Sequence, residues 1–202
     1  RGILWATVDK FGIVLLQFVI NLVLARLLTP DDFGLVGMIM IVIAVSSILA
    51  DGGFGAALIQ KRDANEEDFS TAFYINIVVG TLLYLVVFLL SDSIALLLGN
   101  PILSKILRVM GVVIVINSIA LVPKVTLRRS LSFNKIAIAN IVSYTISATV
   151  AIVMAKLGYG LWGLVALYVV NSTLTTLLLS LFARWRPSLI FSRCSMKRLF
   201  AY

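Results

Sequence analysis

Histidine is absent from this 202-residue chain, and cysteine occurs once, at Cys194. The first absence removes the commonest general base and the commonest metal ligand. A lone cysteine makes no internal disulfide, and without a second thiol or an imidazole it is a poor metal site. No cofactor is therefore expected. Charge is scarce too: 13% of residues are charged and 61% are hydrophobic, against roughly 25% and 45–50% in soluble domains. With a mean hydropathy of +1.09, an ordinary soluble domain is excluded.

What is there instead is a set of long uncharged runs. No charged side chain lies between Asp32 and Asp51, Asp68 and Asp92, Lys135 and Lys156, or Lys156 and Arg184. Each run is about 18 residues or longer, enough helix to cross a hydrocarbon core of roughly 30 Å. Only a helix crosses alone, because lipid offers no partner to an unpaired backbone group. The fold class expected is an all-α membrane protein, a bundle of six transmembrane helices.

The spans expected are Gly2 or Ile3 to Leu28, Gly34 to Gln60, Ser70 to Leu98, Pro101 to Val122, Asn134 to Ala155 and Leu161 to Ala183. Thr29-Pro30-Asp31-Asp32 reads as a helix start, with a threonine cap, proline at the first position and an acid three residues after the cap. Asn65-Glu66-Glu67-Asp68 and Asn100-Pro101 follow the same pattern, and Gly158-Tyr159-Gly160 reads as a tight turn. Residues 1–183 then form the six-helix lobe. Residues 184–202 form a basic linker, and Ser195 to Phe200 start a further amphipathic helix. The chain opens at Arg1 and stops within that basic stretch, which reads as a segment of a longer protein. No cleavable signal peptide is visible.

Lysine and arginine are distributed unevenly between the two sides. One side takes Arg1, Lys61, Arg62, Lys124, Arg128, Arg129, Lys135, Arg184, Arg186, Arg193, Lys197 and Arg198; the other takes only Arg26, Lys105, Arg108 and Lys156. The positive-inside rule places the richer side, and both ends of the segment, in the cytoplasm. The net charge of +8 is largely this bias. It does not indicate a nucleic-acid partner, since no aromatic-interleaved basic groove accompanies it.

Polar residues inside the spans are costly and mark bundle interiors or hydrated cavities. Lys10, Gln17 and Asn21 share a stripe on the first helix, at near-whole-turn spacing. Asn140, Ser143, Tyr144 and Ser147 share one face of the fifth. Tyr168, Asn171, Ser172 and Thr175 mark the sixth, and Asn76 and Asn117 sit within the third and fourth. A central cavity and simple interhelical hydrogen bonding both account for such stripes. Their presence on most helices favours the cavity.

Individual charges also admit two roles each. Asp51, followed by Gly52-Gly53-Phe54-Gly55, is either an ion-coupling carboxylate or a cap at a glycine-broken turn; the glycines favour the cap. Arg26 either snorkels to the headgroups or meets an anionic substrate. Lys124, Arg128, Arg129 and Lys135 either fix topology or attract anionic lipid groups. Asp31 and Asp32, in a loop of a few residues, suit capping better than metal-dependent catalysis.

With these residues in view, the chain resembles the N-terminal half of bacterial polysaccharide exporters, the lipopolysaccharide, O-antigen and exopolysaccharide flippases of the multidrug/oligosaccharidyl-lipid/polysaccharide exporter superfamily. The resemblance rests on Leu24-Ala25-Arg26-Leu27-Leu28-Thr29-Pro30-Asp31-Asp32-Phe33-Gly34-Leu35 and Gly53-Phe54-Gly55-Ala56-Ala57-Leu58-Ile59-Gln60. It continues in Glu67 to Phe73, Leu127 to Phe133, Gly158 to Gly163 and Arg184-Trp185-Arg186-Pro187. It implies two six-helix lobes around a cavity that alternates its opening, so a C-terminal lobe is missing here. The cargo it implies is an undecaprenyl-pyrophosphate-linked oligosaccharide, moved across the inner membrane among membrane lipids, with a polysaccharide polymerase as a possible partner. It implies no enzyme and no shared catalytic residues.

Lys10, Gln17, Asn21, Arg26, Asn76, Asn140 and Asn171 are the expected substrate-binding residues, and Asp51 is the ion-coupling candidate. The rival readings are a multidrug/cation antiporter of the same superfamily, a membrane glycosyltransferase and a non-transporting assembly protein.

Overall fold

The computed structural model describes residues 2–61 and 63–188, with side chains from residue 11 onward. Its helices are α1 (Gly2–Ala25), α2 (Pro30–Asp51), α3 (Phe54–Gln60), α4 (Glu66–Leu97), α5 (Ile102–Met110), α6 (Val112–Arg129), α7 (Phe133–Lys156) and α8 (Leu161–Ala183). Among the described residues no strand occurs. Five stretches are long and apolar enough to cross a membrane: α2, α4, α5 with α6, α7 and α8. With α1 they make the six spans of a multi-pass, all-α membrane bundle.

The helix starts follow from side-chain chemistry. Thr29 Oγ1 accepts from the Asp32 N–H at 3.3 Å, while the Asp32 carboxylate accepts from the Thr29 N–H at 3.0 Å and its hydroxyl at 2.8 Å. This closed capping box starts α2 at Pro30, four residues ahead of the Gly34 expected from hydropathy. Asn65 and Asp68 exchange bonds of 3.0 and 3.1 Å in the same way, and α4 likewise begins early, at Glu66. Asn100 works differently. Its Oδ1 accepts from the Ile102 N–H, two residues on, at 3.2 Å.

Two of the expected spans need correction. The second does not run unbroken from Gly34 to Gln60: Gly52 and Gly53 have φ of +52° and +83°, left-handed backbone that side-chain-bearing residues adopt at a cost. The helix stops at Asp51, and α3 is a separate short helix packed on α4 and α6. The fourth span does not end at Val122. It runs through Pro123, buried inside α6, to Arg129. A proline removes one backbone donor, here the one that would meet the Ile119 carbonyl, a loss that a membrane helix tolerates.

In the bundle α1 packs on α7, α7 on α8, α8 on α6, and α6 on α4, with α2 against α4 and α6. Small residues set the closest crossings. A Cβ on Gly80 of α4 would lie 2.1 Å from Ser118 Oγ of α6, and one on Gly163 of α8 would lie 3.0 Å from the Ala151 carbonyl of α7. Leu24, Ile39, Ile106, Leu107 and Ile114 belong to the largest buried cluster. Outward, Phe11, Leu15, Ile48, Leu82 and Leu89 are exposed, the surface a lipid solvent requires and water would not.

The basic ends of the helices lie together. Arg129 Nη1 at the end of α6 donates to the carbonyls of Leu58 and Lys61, at 2.5 and 2.8 Å, and Lys61 pairs with Asp68 at 2.5 Å. The segment after α8 returns to this face: Ser188 Oγ lies 2.7 Å from Ser70 Oγ, and Trp185 meets Phe73 edge-on at 5.4 Å. The helix expected from Ser195 to Phe200, and Arg62 of the basic set, lie outside the described residues. On the opposite face Arg108 of α5 pairs with Asp92 of α4 at 2.7 Å and donates to Ser91 at 2.8 Å.

Candidate functional site

Between α1, α2, α4, α6, α7 and α8 lies a cavity of about 600 Å³. The polar stripes converge there because each helix turns its outer face to lipid with apolar residues, leaving its polar face to the interior. Gln17, Asp51, Asn76, Asn140 and Asn171 all line the cavity. So do Asn117, Tyr144, Tyr168, Ser172 and Thr175 from the same stripes. Six spans thus place amides and hydroxyls around one space.

The remaining expected residues fall elsewhere. Asn21 and Arg26 are exposed and are not among the lining residues. Asn21 is one turn past Gln17, rotated about 40° and displaced about 6 Å toward the opposite face, and Arg26 is roughly 13 Å beyond Gln17 if the helical rise is continued. The cavity occupies the half of the bundle nearer the basic ends, so a stripe that keeps its angle still leaves it by translation. The Lys10 side chain lies outside the described residues.

Interhelical bonding and cavity lining coexist. Ser172 Oγ donates to Asn117 Oδ1 at 2.8 Å, and Thr176 Oγ1 to the Ile116 carbonyl at 3.3 Å, tying α8 to α6. Asn76 Nδ2 donates to the Ser118 carbonyl at 3.2 Å, tying α4 to α6. These bonds hold part of each polar side chain in place while the residue still borders the cavity. Ser143 and Ser147 are fully buried and do not line it.

Asp51 is the last residue of α2, and its Oδ1 accepts from the Gly55 N–H at 3.0 Å. It therefore caps the first turn of α3 across the glycine break, as the glycines suggest. Lys124, grouped by sequence with the topology-setting cations, also lines the cavity. Its spacing would have shown this: Lys124 lies seven residues after Asn117, nearly two turns on the same face. Ser47, Ser118 and Thr176 line the cavity too, and small hydroxyls in apolar helices give little advance signal. Chemically, the lining offers donors and acceptors for hydroxyl and amide groups, with one carboxylate and one ammonium at its margin. Among the described residues no group of three or more acidic or cysteine side chains is placed to hold a metal.

Known proteins are similar to this chain in sequence. The succinoglycan biosynthesis transport protein ExoT of Rhizobium meliloti is 29% identical over 192 residues, covering 95% of this chain and 39% of that protein. The lipopolysaccharide biosynthesis protein WzxC of Escherichia coli is 29% identical over 197 residues, covering 96% and 40%. The teichuronic acid biosynthesis protein TuaB of Bacillus subtilis is 30% identical over 207 residues, covering 100% and 42%. The chain therefore spans about two fifths of the length of these relatives. No solved structure matches it. The resemblance read from the loop and cap motifs is borne out by a match over residues 23–202, and the chain belongs to the polysaccharide biosynthesis protein family.

Proposed function

We propose that this chain is the N-terminal lobe of a bacterial inner-membrane exporter that flips undecaprenyl-pyrophosphate-linked oligosaccharide by alternating access. The observation that carries the reading is the polar cavity of about 600 Å³ inside a bundle whose outer surface is apolar. A glycan crossing a bilayer must exchange water for fixed hydrogen-bonding groups, because unsatisfied polar groups cost several kcal/mol each in hydrocarbon. Amides and tyrosines on most of the spans supply such groups, and apolar outer faces suit a polyprenyl tail. The names of ExoT, WzxC and TuaB, which concern succinoglycan, lipopolysaccharide and teichuronic acid, support a saccharide cargo.

On this reading the basic face is cytoplasmic, with both ends of the segment, and residues 184–202 lead to a second lobe. A polysaccharide polymerase receives the flipped unit. The antiporter reading needs a carboxylate available for coupling, and the capping bond from Gly55 to Asp51 favours the exporter instead.

The test is reconstitution of the full-length parent into proteoliposomes with a polyprenyl-pyrophosphate-linked oligosaccharide in the inner leaflet. Transfer of sugar to the outer leaflet, detected by an impermeant lectin, is expected. Lectin binding no faster than in protein-free vesicles would overturn the proposal.

A further inference from the structure

We infer that the corner where α6 and α8 end and α7 begins binds the headgroup of an anionic phospholipid, through Arg128, Lys135 and Arg184 around Leu131. The sequence contains no Asp or Glu after Asp92, so nothing in these helices or the loops between them offsets their cations. The three helices pack on one another. At this end Leu127, Ile136 and Leu179 belong to one buried cluster, with Phe182 and Ala183 packed against it. Arg128, Lys135 and Arg184 each adjoin one of those residues in sequence, so the cluster brings all three to the same end of the bundle. Lys135 Nζ donates to the Phe182 carbonyl at 3.5 Å, which ties the start of α7 to the end of α8. All three cations are exposed, and among the described residues none of them has a carboxylate partner.

The place selects the ligand. α6, α7 and α8 belong to membrane spans, so cations at their ends lie at the level of the headgroups, where an anionic surface attracts each of them. None of the three lines the cavity, which keeps them off the path of a cargo held there. A zwitterionic headgroup carries a cation that these side chains repel, and an anionic one does not. Leu131, in the loop between Arg128 and Lys135, is 72% exposed and has a φ of +52°. Left-handed backbone disfavours a side chain, so glycine would be the easier residue there. Leucine instead presents apolar surface between cations, the combination that the boundary between headgroups and acyl chains takes up.

The test titrates the full-length parent in detergent with short-chain phosphatidylglycerol and short-chain phosphatidylcholine, binding being followed by thermophoresis. Preference for phosphatidylglycerol is expected, and it should fall as salt rises. Arg128→Gln, Lys135→Gln and Arg184→Gln should each weaken phosphatidylglycerol about 5-fold and leave phosphatidylcholine unchanged. Lys105→Gln and Lys156→Gln, on the opposite face, should change neither. Leu131→Gly separates a lipid contact from a structural role. Relief of the positive φ predicts an equal or higher melting temperature, while loss of the apolar contact predicts about 3-fold weaker binding of both lipids. Equal binding of the two lipids by the parent, or unchanged phosphatidylglycerol binding in all three glutamine variants, would overturn the proposal. So would a dependence on these cations shown by bare polyprenyl pyrophosphate and not by phosphatidylglycerol, which would assign them to the cargo.

Discussion

Arg129 and Leu58 are joined by a hydrogen bond of 2.5 Å from guanidinium to backbone carbonyl. The last carbonyls of α3 have no partner within their own helix, and Arg129 satisfies two of them, since it also reaches Lys61 at 2.8 Å. Its guanidinium lies 5.6 Å from the centre of the Phe69 ring. One side chain thus fastens α3 and α4 to the end of α6.

Replacing Arg129 by alanine should destabilise the protein, because charge-assisted bonds contribute about 1.5–3 kcal/mol each and the two are coupled. Lysine, lacking the planar fork, should restore only part of the loss. Thermal unfolding of the detergent-solubilised parent would show a lowered midpoint for Arg129→Ala and an intermediate one for Arg129→Lys. An unchanged midpoint for both would mean that α3 is held by its apolar contacts alone.

Gly80→Ala should be as damaging as a buried overpacking change, about 1–3 kcal/mol, because the new methyl carbon would sit 2.1 Å from Ser118 Oγ and 2.9 Å from Ser118 Cβ. Ser118→Gly clears that space. The double variant should recover much of the stability lost by Gly80→Ala, measured as a double-mutant cycle of folded yield and melting temperature. Additive losses would show that α4 and α6 do not meet at this pair.

At the break between α2 and α3, Gly53→Leu and Gly55→Leu should lower folded protein more than Asp51→Asn. Leucine at Gly53 would have to adopt φ of +83°, and a Cβ at Gly55 would approach Asp51 Oδ1 to 3.2 Å and Leu121 Cδ1 to 3.4 Å. Asparagine retains an oxygen to accept the Gly55 N–H. Membrane abundance by immunoblot separates the cases. Normal levels of both leucine variants, with Asp51→Asn abundant and inactive, would return the carboxylate to a coupling role.

Much of this arrangement was legible in the residues. Uncharged runs marked the spans, because lipid penalises charge heavily. Thr29 and Asn65 marked helix starts, because their capping partners lie three residues on. Hydropathy alone put those starts too late, since the first turns of α2 and α4 are acidic and look like loop. It also missed the continuation of α6 past Pro123, where the membrane setting outweighs the usual helix-breaking effect. The site was legible as an angular pattern only. Gln17 and Asn21 share a stripe, yet only Gln17 reaches the cavity, because depth along the helix axis depends on where the partner helices leave space. Lys124 was hidden for the converse reason: a cation near a span end reads first as a topology signal.

Orientation is open to labelling. In a full-length parent with Cys194 replaced by serine, single cysteines at Asn100 and Gly158 should react with an impermeant thiol reagent applied from outside the cell. Cysteines at Asp63 and Ser132 should react only after permeabilisation. Outside labelling at Asp63 would invert the assignment of the basic face to the cytoplasm.

The most direct test of the central claim is site-specific photo-crosslinking from the cavity wall. A photoreactive amino acid replaces Tyr168, which lines the cavity, or Leu89, which is 75% exposed on the outer surface. Each full-length variant is then irradiated in membranes containing lipid-linked oligosaccharide labelled in its sugar. Label on the Tyr168 variant and none on the Leu89 variant is the predicted result. Equal labelling at both positions, or labelling at Leu89 alone, would contradict a glycan path through the cavity.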